Sequence, residues 1–232
     1  MATTLILGAT GYVGGRLAPR LVQRGHTVRC LVRDRRKAEG RPWAEGVELV
    51  EGDALAPESL RAAFAGVDIV YYLIHSMAAG RGEFEDLDRQ AARNVAEAAE
   101  TAGVGRIIYL GGLGSYVRDQ SAHLRSRHEV GAILHGGAVP VTEFRAAVII
   151  GSGSLSFELI HHLVNRLPVM ICPRWVYTRT QPIAIVDVLH YLMEAIDIPA
   201  TAGQTIDIGG PEVMTYRDMM LEIGRASCRE RV

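Results

Sequence analysis

Three glycines near the N-terminus have the spacing of a phosphate-binding turn. The pattern Gly-x-x-Gly-x-x-Gly at residues 8–14 follows an apolar segment of strand type, and an amphipathic helical pattern comes directly after it. Glycine lets the main chain approach a ligand without an intervening Cβ, and the N-terminus of a helix attracts anions. The turn is therefore predicted to bind a pyrophosphate, the alternative being a glycine-rich turn without a ligand. The predicted cofactor contacts here are Gly8, Thr10, Gly11, Tyr12, Val13 and Gly14.

A basic segment follows the second predicted strand. Arg33 is the first residue past that strand, and Arg35, Arg36 and Lys37 come soon after it. In a dinucleotide-binding sheet this position lies near the adenosine ribose, where an arginine accommodates the 2′-phosphate of NADP and an acidic residue binds the 2′-hydroxyl of NAD. Arg33 therefore predicts NADP. Two alternatives are that Asp34 turns inward and binds NAD, or that the segment is a solvated loop.

Composition limits the classes of function. The chain has 232 residues, 48% of them hydrophobic, and a net charge of −1, which gives no electrostatic reason to expect nucleic acid as a partner. Three cysteines without C-x-x-C spacing argue against a disulfide framework or a zinc ribbon. The adjacent pair His161-His162 cannot hold a metal by itself, so no metal is expected. No signal peptide or membrane span is apparent, and the expected location is the cytoplasm.

Strand and helix patterns alternate along most of the chain. Strand patterns cover about residues 3–8, 27–32, 47–51, 68–74, 106–110, 141–149 and 204–208, and helical patterns about 11–24, 57–65, 83–102, 121–135 and 154–165. This alternation predicts an α/β fold, a Rossmann-type doubly wound parallel sheet of about seven strands in the order 3-2-1-4-5-6-7. A small substrate-side region is expected around residues 151–200, including an excursion at 167–181. The ligand is expected at the carboxyl ends of the strands.

With these features the chain resembles the short-chain dehydrogenase/reductase superfamily, specifically its atypical and extended branches with NmrA-like and epimerase-like members. The resemblance covers about residues 3–221 and depends on the turn at 8–14, on Gly52-Asp53, on the segment 182–188 and on the segment 208–211. It implies a nicotinamide dinucleotide as cofactor. It also implies that Asp53 and Ala54 meet the adenine ring, and that the ribose and nicotinamide side is lined by Leu73, Ile74 and His75.

The catalytic motif departs from the superfamily pattern. Its members use Tyr-x-x-x-Lys on the helix after the fifth strand, and aligning that helix puts His123 at the tyrosine position and Arg127 at the lysine position. The usual serine after the fifth strand is replaced by Gly111-Gly112, and Ser115 is the nearest hydroxyl. Histidine titrates near neutral pH and can act as a general acid, while arginine can hold the ribose. Arg127 would, however, lower the pKa of His123 and favour its neutral form.

Two functions follow from these features. The first is an atypical oxidoreductase that transfers hydride between NADP(H) and a small carbonyl, enone or quinone-like substrate, with His123 and Arg127 as catalytic residues. The alternative is a non-catalytic NADP(H)-sensing or structural module in a larger assembly, with His123 as a packing residue. Related domains often pair through the helices next to the fourth and fifth strands, so a homo-oligomer is also possible.

The C-terminal residues 222–232 lose the apolar period of the helix before them and have no strand pattern. We therefore expect residues 1–221 to form the NAD(P)-binding domain and residues 222–232 to be a non-native tail. A further C-terminal domain is then expected in the natural protein.

Overall fold

The computed structural model describes residues 1–75, 83–114, 121–166 and 174–229. Its strands are β1 Thr3–Leu7, β2 Thr27–Val32, β3 Glu48–Glu51, β4 Ile69–Tyr72, β5 Arg106–Gly112, β6 Val141–Ala146, β7 Ile149–Ile150, β8 Arg179–Thr180, β9 Ile183–Ala184, β10 Thr205–Ile208 and β11 Met214–Thr215. Its helices are α1 Gly14–Gln23, α2 Pro57–Phe64, α3 Glu83–Thr101, α4 Ala122–His135, α5 Leu155–Arg166, α6 Ile185–Glu194 and α7 Tyr216–Arg229.

The main sheet has the order β10-β6-β5-β4-β1-β2-β3. β1 lies between β2 and β4 and pairs in parallel with both, with Leu5 opposite Arg29 on one side and Val70 on the other. The pairs β2–β3 and β4–β5 are also parallel. The chain builds outward from β1 to β3 and then returns to add β4 on the other side of β1. The predicted fold class and strand order are therefore confirmed, with β10 as the predicted seventh strand.

The core of the sheet explains why these segments form strands. All four residues of β4 are buried, which is typical of a strand covered on both faces. Leu5 and Leu7 of β1 are fully buried, and the apolar stripe of α3, including Ala92 and Val95, packs into the same hydrophobic cluster. The sheet is thus rigid where its carboxyl ends must hold a site.

The chain divides into two compact units. Unit 1 contains residues Met1–Arg145 and Leu189–Ile206, and unit 2 contains Ala146–Val188 and Asp207–Val232. Unit 2 holds two small sheets, in which β7 pairs in parallel with β9 and β8 pairs antiparallel with β11. Every residue of the candidate site described below belongs to unit 1.

Several element boundaries differ from the sequence prediction. α1 begins at Gly14 rather than near residue 11, because the Gly11 N–H donates to the Gly8 carbonyl at 3.0 Å and closes a turn first. The predicted sixth strand is split into β6 and β7, and the short strands β8, β9 and β11 were not predicted. α6 was also missed, although Asp187, His190 and Glu194 have the spacing of one helix face.

The helix α7 continues past Leu221 to Arg229, so the loss of apolar periodicity there does not end it. Glu222 and Arg225 pair one turn apart at 2.6 Å, which helps an exposed helix to continue. Ser115 and residues 167–173 of the predicted excursion lie outside the described residues. In the ranges that the structure does describe, no helix is both long and apolar enough to cross a membrane.

Candidate functional site

A pocket of about 510 Å³ opens at the carboxyl ends of β1, β2, β3 and β4. The turn after β1 contributes Gly8, Thr10 and Gly11 to its wall. Gly8 has a positive φ of 97°, and a Cβ placed on it would lie 2.6 Å from the Leu73 carbonyl oxygen. Only glycine fits there, since both the backbone angle and the contact exclude a side chain. The turn therefore leaves a cradle into which a pyrophosphate fits.

Three of the predicted cofactor contacts, Tyr12, Val13 and Gly14, are not on the pocket wall but shape this turn. A Cβ on Gly14 would lie 2.4 Å from the Gly8 carbonyl oxygen, so glycine lets α1 start close against the turn. The Val13 carbonyl accepts the Leu17 N–H at 2.9 Å and begins the helix. The Arg16 guanidinium lies 4.1 Å above the centre of the Tyr12 ring. These contacts direct the N-terminus of α1, with its positive dipole end, at the turn.

The structure distinguishes Arg33 from Asp34, the two residues after β2 that the sequence offered as alternative contacts to the ribose. Arg33 is exposed and lines the pocket. The Asp34 carboxylate instead accepts the Arg36 N–H at 3.0 Å, capping the short 3-10 turn Arg35–Lys37, and lies 4.0 Å from the Lys37 ammonium. Asp34 is therefore bound to its own basic loop, and of these two residues only Arg33 lines the pocket.

The turn after β3 contributes Asp53 and Ala54 to the wall. One oxygen of the Asp53 carboxylate, Oδ1, accepts the Leu55 N–H at 3.0 Å, and the Asp53 N–H donates to the Ser59 hydroxyl at 2.9 Å. The side chain of Asn94, from α3, donates to the Ala54 carbonyl at 2.8 Å. Local and long-range hydrogen bonds thus fix this turn.

On the other side of the turn after β1, the wall is formed by Leu73, Ile74 and His75. The His75 ring faces the ring of His123 on α4, with 5.9 Å between centroids. Burial first, and the positive charge of Arg127 second, lower the pKa of His75 to about 4. Burial and Arg127 also lower the pKa of His123, as the sequence predicted. Both imidazoles are therefore neutral at pH 7.

Asp88 is a residue of this wall that the sequence reasoning missed. It is 5% exposed, and its Oδ2 accepts the Ser126 hydroxyl at 2.8 Å across the α3–α4 contact. Its negative charge raises the pKa values of His75 and His123 and so opposes the effect of Arg127. The available signal was a carboxylate inside the apolar stripe of α3, one turn before Ala91 and Ala92.

The structure brings Arg127 near the two histidines, although neither Arg127 nor His123 is on the pocket wall. Burial lowers the pKa of Arg127, and its Nε is buried without a hydrogen-bond partner among the described residues. The Arg127 carbonyl accepts the Tyr109 hydroxyl at 2.9 Å, which ties α4 to β5. A Cβ on Gly112 would lie 3.2 Å from Arg127 Cδ and 2.7 Å from Leu124 Cδ1. The side chains of α4 therefore fill the space that a serine at 112 would need.

A second buried charge lies under Gly111. The Glu143 carboxylate is fully buried, and Oε1 accepts from Arg145 Nε at 2.8 Å, while Oε2 lies 3.3 Å from His135 Nε2. A Cβ on Gly111 or Gly131 would lie 2.9 Å from Oε1. The two glycines leave room for the carboxylate. Inside this space the carboxylate pairs with Arg145. Neither here nor elsewhere in the described ranges could a group of three His, Cys, Asp or Glu side chains hold a metal ion.

Comparison with known proteins agrees with this geometry. A family model described as NAD(P)H-binding matches residues 8–147. The photosystem II assembly factor Ycf39 of Trieres chinensis is 25% identical over 212 residues, which are 89% of this chain and 63% of that protein. The NADH dehydrogenase [ubiquinone] 1 alpha subcomplex subunit 9 of Mus musculus is 27% identical over 221 residues, 89% of this chain and 56% of that protein. The chain thus spans less than two thirds of either relative.

Solved structures show the same fold at low identity. A short-chain dehydrogenase/reductase superfamily protein from Agrobacterium tumefaciens with bound NAD has a TM-score of 0.75 and 19% identity, covering 96% of this chain and 82% of that one. The epimerase Mth375 of Methanothermobacter thermautotrophicus has a TM-score of 0.80 and 19% identity, covering 97% and 76%. Because the family match covers more than half of the chain, the chain belongs to the NAD(P)H-binding family, and it has the fold of these solved structures.

Proposed function

We propose that this chain binds NADP(H), with the 2′-phosphate of the adenosine against Arg33. The observation that carries the proposal is the division of charge after β2, where Arg33 lines the pocket and the Asp34 carboxylate is bound within its own loop. An arginine forms charge-assisted hydrogen bonds with a phosphate, whereas NAD would need an acidic side chain at this place.

The strand order supports one orientation for the dinucleotide. Arg33 and Asp53 follow β2 and β3, on one side of β1, whereas His75 follows β4 on the other side. With the pyrophosphate at the turn after β1, the adenosine half extends toward Arg33 and Asp53. The nicotinamide half then extends toward His75 and Asp88.

This proposal is tested by titrating the purified chain with NADPH and with NADH and measuring binding from the cofactor fluorescence. We expect NADPH to bind at least tenfold more tightly, which corresponds to about 1.4 kcal/mol. Equal affinities, or a preference for NADH, would contradict the assignment of the phosphate to Arg33.

The protonation state of His75 and His123 decides whether the site can donate a proton to a substrate. The bound dinucleotide would supply a hydride donor or acceptor. Reduction of a carbonyl, enone or quinone-like substrate also needs a proton, and neutral imidazoles at His75 and His123 are poor proton donors at pH 7. We therefore propose that the main role is cofactor binding, as a sensing or structural module. The two relatives described above, a photosystem II assembly factor and an NADH dehydrogenase [ubiquinone] 1 alpha subcomplex subunit, support this role.

The second candidate is an atypical oxidoreductase with His123 as proton donor and Arg127 as its charged neighbour. The contact of His123 with His75, which is on the pocket wall, favours this candidate. NADPH oxidation with a panel of quinones and carbonyl compounds, measured from pH 5 to pH 8, separates the two roles. Turnover that rises on acidification and disappears in His123→Phe supports the oxidoreductase. Absence of turnover with retained NADPH binding supports the module.

A further inference from the structure

Arg127 carries a guanidinium group without a bonded acceptor. Its Nε is buried and has no hydrogen-bond partner. The hydrogen bond that the structure gives to this residue uses its main-chain carbonyl, and no described residue accepts from its guanidinium. A guanidinium is a fork of N–H donors that stays charged in proteins, and burying it is costly unless an acceptor satisfies it. Arg127 therefore lacks a bonded counter-charge among the described residues.

Two other partly buried arginines show the partner that such a group normally has. Arg29 Nε lies 2.8 Å from the Glu48 carboxylate, and Arg145 Nε lies 2.8 Å from the Glu143 carboxylate. In both pairs a carboxylate accepts directly from the guanidinium. Arg127 departs from this pattern, which indicates that its acceptor comes from a bound ligand.

Asp88 does not take the place of that acceptor. Its charge acts on Arg127, but its Oδ2 accepts the Ser126 hydroxyl at 2.8 Å, and within the described residues no ion pair joins it to Arg127. Asp88 thus offsets part of the cost of burying the guanidinium without occupying the donors. Its negative charge also repels anions, so a group with one negative charge fits beside Arg127 better than a group with two.

Packing fixes the Arg127 side chain at the end of β5. A Cβ on Gly112 would lie 3.2 Å from Arg127 Cδ, so the side chain lies against the strand end. His123 is four residues before Arg127 on α4, which puts both on one face of the helix, and the His123 ring faces His75 of the pocket wall. Both imidazoles are neutral at pH 7, so of these three side chains only Arg127 attracts an anion.

We propose that Arg127 binds the carboxylate of a small-molecule ligand at the end of the pocket lined by His75. A carboxylate has one negative charge, and its two oxygens match the planar fork of a guanidinium. Ribose hydroxyls are neutral, so they would accept hydrogen bonds without compensating the buried charge. The inference depends on the proposed function for the position of the nicotinamide. To that function it adds a second ligand, an organic acid next to the nicotinamide.

Acetate is the probe for this site, and acetamide is its neutral match in shape. The imidazole proton resonances are followed at pH 8, where the rings stay neutral in the wild type and in the variants. We expect acetate to shift the resonances of His75 and His123 and to leave that of His190, an exposed residue of α6, in place. Acetamide should shift neither. Saturation with NADPH should not weaken the binding of acetate, because the two ligands occupy adjoining places.

The variants assign the binding to one guanidinium. In Arg127→Gln we expect the affinity for acetate to fall about tenfold or more, because a charge-assisted pair is lost. Arg125→Gln is the matched control, since Arg125 is on the same helix but is exposed and pairs with Glu85 at 2.6 Å. It should keep the wild-type affinity. Asp88→Asn should bind acetate more tightly, because a repelling charge is removed, and it serves if Arg127→Gln does not fold.

Three results would overturn the inference and leave the proposed function intact. They are an unchanged affinity in Arg127→Gln, equal shifts with acetamide, and no acetate binding by a wild type that binds NADPH. Displacement of acetate by NADPH would also overturn it, because Arg127 would then belong to the dinucleotide. A wild type that binds acetate through Arg127 but does not bind NADPH would overturn the proposed function and retain the carboxylate site.

Discussion

His75 on the pocket wall and His123 on α4 face each other with 5.9 Å between their ring centroids. Both have pKa values below the usual 6.5, and for both the causes are burial first and Arg127 second. His123, which the sequence predicted at the position of the catalytic tyrosine, is thus not on the pocket wall but faces His75, which is. That relationship supports the proposal that the site holds a dinucleotide and does not donate a proton at neutral pH.

Removing the charge of Arg127 should raise both histidine pKa values. In Arg127→Gln, we expect the pKa of His75 to move up from about 4 toward 6.5, and that of His123 to rise as well. NMR titration of the imidazole protons measures both values. Arg125→Gln is the control, because Arg125 is on the same helix but pairs with Glu85 at 2.6 Å. Unchanged histidine titrations in Arg127→Gln would contradict the charge assignment.

The lowered pKa of His75 predicts how stability depends on pH. Between about pH 6.5 and pH 4 the unfolded chain binds a proton at this residue and the folded chain does not, so acid favours unfolding. The free energy of unfolding should therefore fall as the pH is lowered through this window. In His75→Asn the slope should be smaller, as measured by urea unfolding at several pH values. An identical slope in the variant would exclude His75 as its source.

Gly8, in the turn after β1, should tolerate no side chain. Gly8→Ala combines a strained positive φ with a Cβ 2.6 Å from the Leu73 carbonyl oxygen, so we expect loss of NADPH binding and lowered stability. Gly66→Ala is the control, since Gly66 has a φ of +67° but nothing within 4 Å of the added Cβ. It should cost about 1–2 kcal/mol of unfolding free energy from strain alone and keep NADPH binding. Equal losses of binding in both variants would argue against the cradle.

Introducing a serine at position 111 should not create the catalytic serine that short-chain dehydrogenases/reductases have after the fifth strand. Gly111→Ser would place a Cβ 2.9 Å from Glu143 Oε1, so we expect destabilisation without new activity. Glu143→Ala should itself cost about 3–5 kcal/mol, because it leaves Arg145 without its buried partner. In the double variant the two losses should be less than additive, as chemical unfolding measures. Strict additivity would mean that the glycine and the carboxylate do not share this space.

The sequence predicted those features whose signals are local. The glycine turn at 8–14, the sheet and its order, and the position of Arg33 at the end of β2 all follow from spacing and periodicity over short segments. Asp88 and Asn94 were missed because the groups that they bind, on Ser126 and Ala54, are 38 and 40 residues away in the sequence. Glu143 was missed because the two glycines that leave room for its carboxylate, Gly111 and Gly131, belong to other elements. Periodicity shows that such residues face inward, but only the packing of α3, α4 and β6 shows what they bind.

The orientation of Asp34 was also beyond sequence reasoning. Its neighbours Arg36 and Lys37 make a capped 3-10 turn possible. The same sequence would, however, be equally consistent with an Asp34 carboxylate that points into the pocket. The proposed preference for NADP over NAD depends on that single side-chain orientation.

The most direct measurement is therefore the ratio of NADPH to NADH affinity in Arg33→Ala and in Arg61→Ala. Arg61 is an exposed arginine of α2 that does not line the pocket, so its removal changes the net charge equally. The account predicts that the wild-type preference of tenfold or more is lost in Arg33→Ala and retained in Arg61→Ala. A preference that survives in Arg33→Ala, or falls equally in both variants, would contradict it.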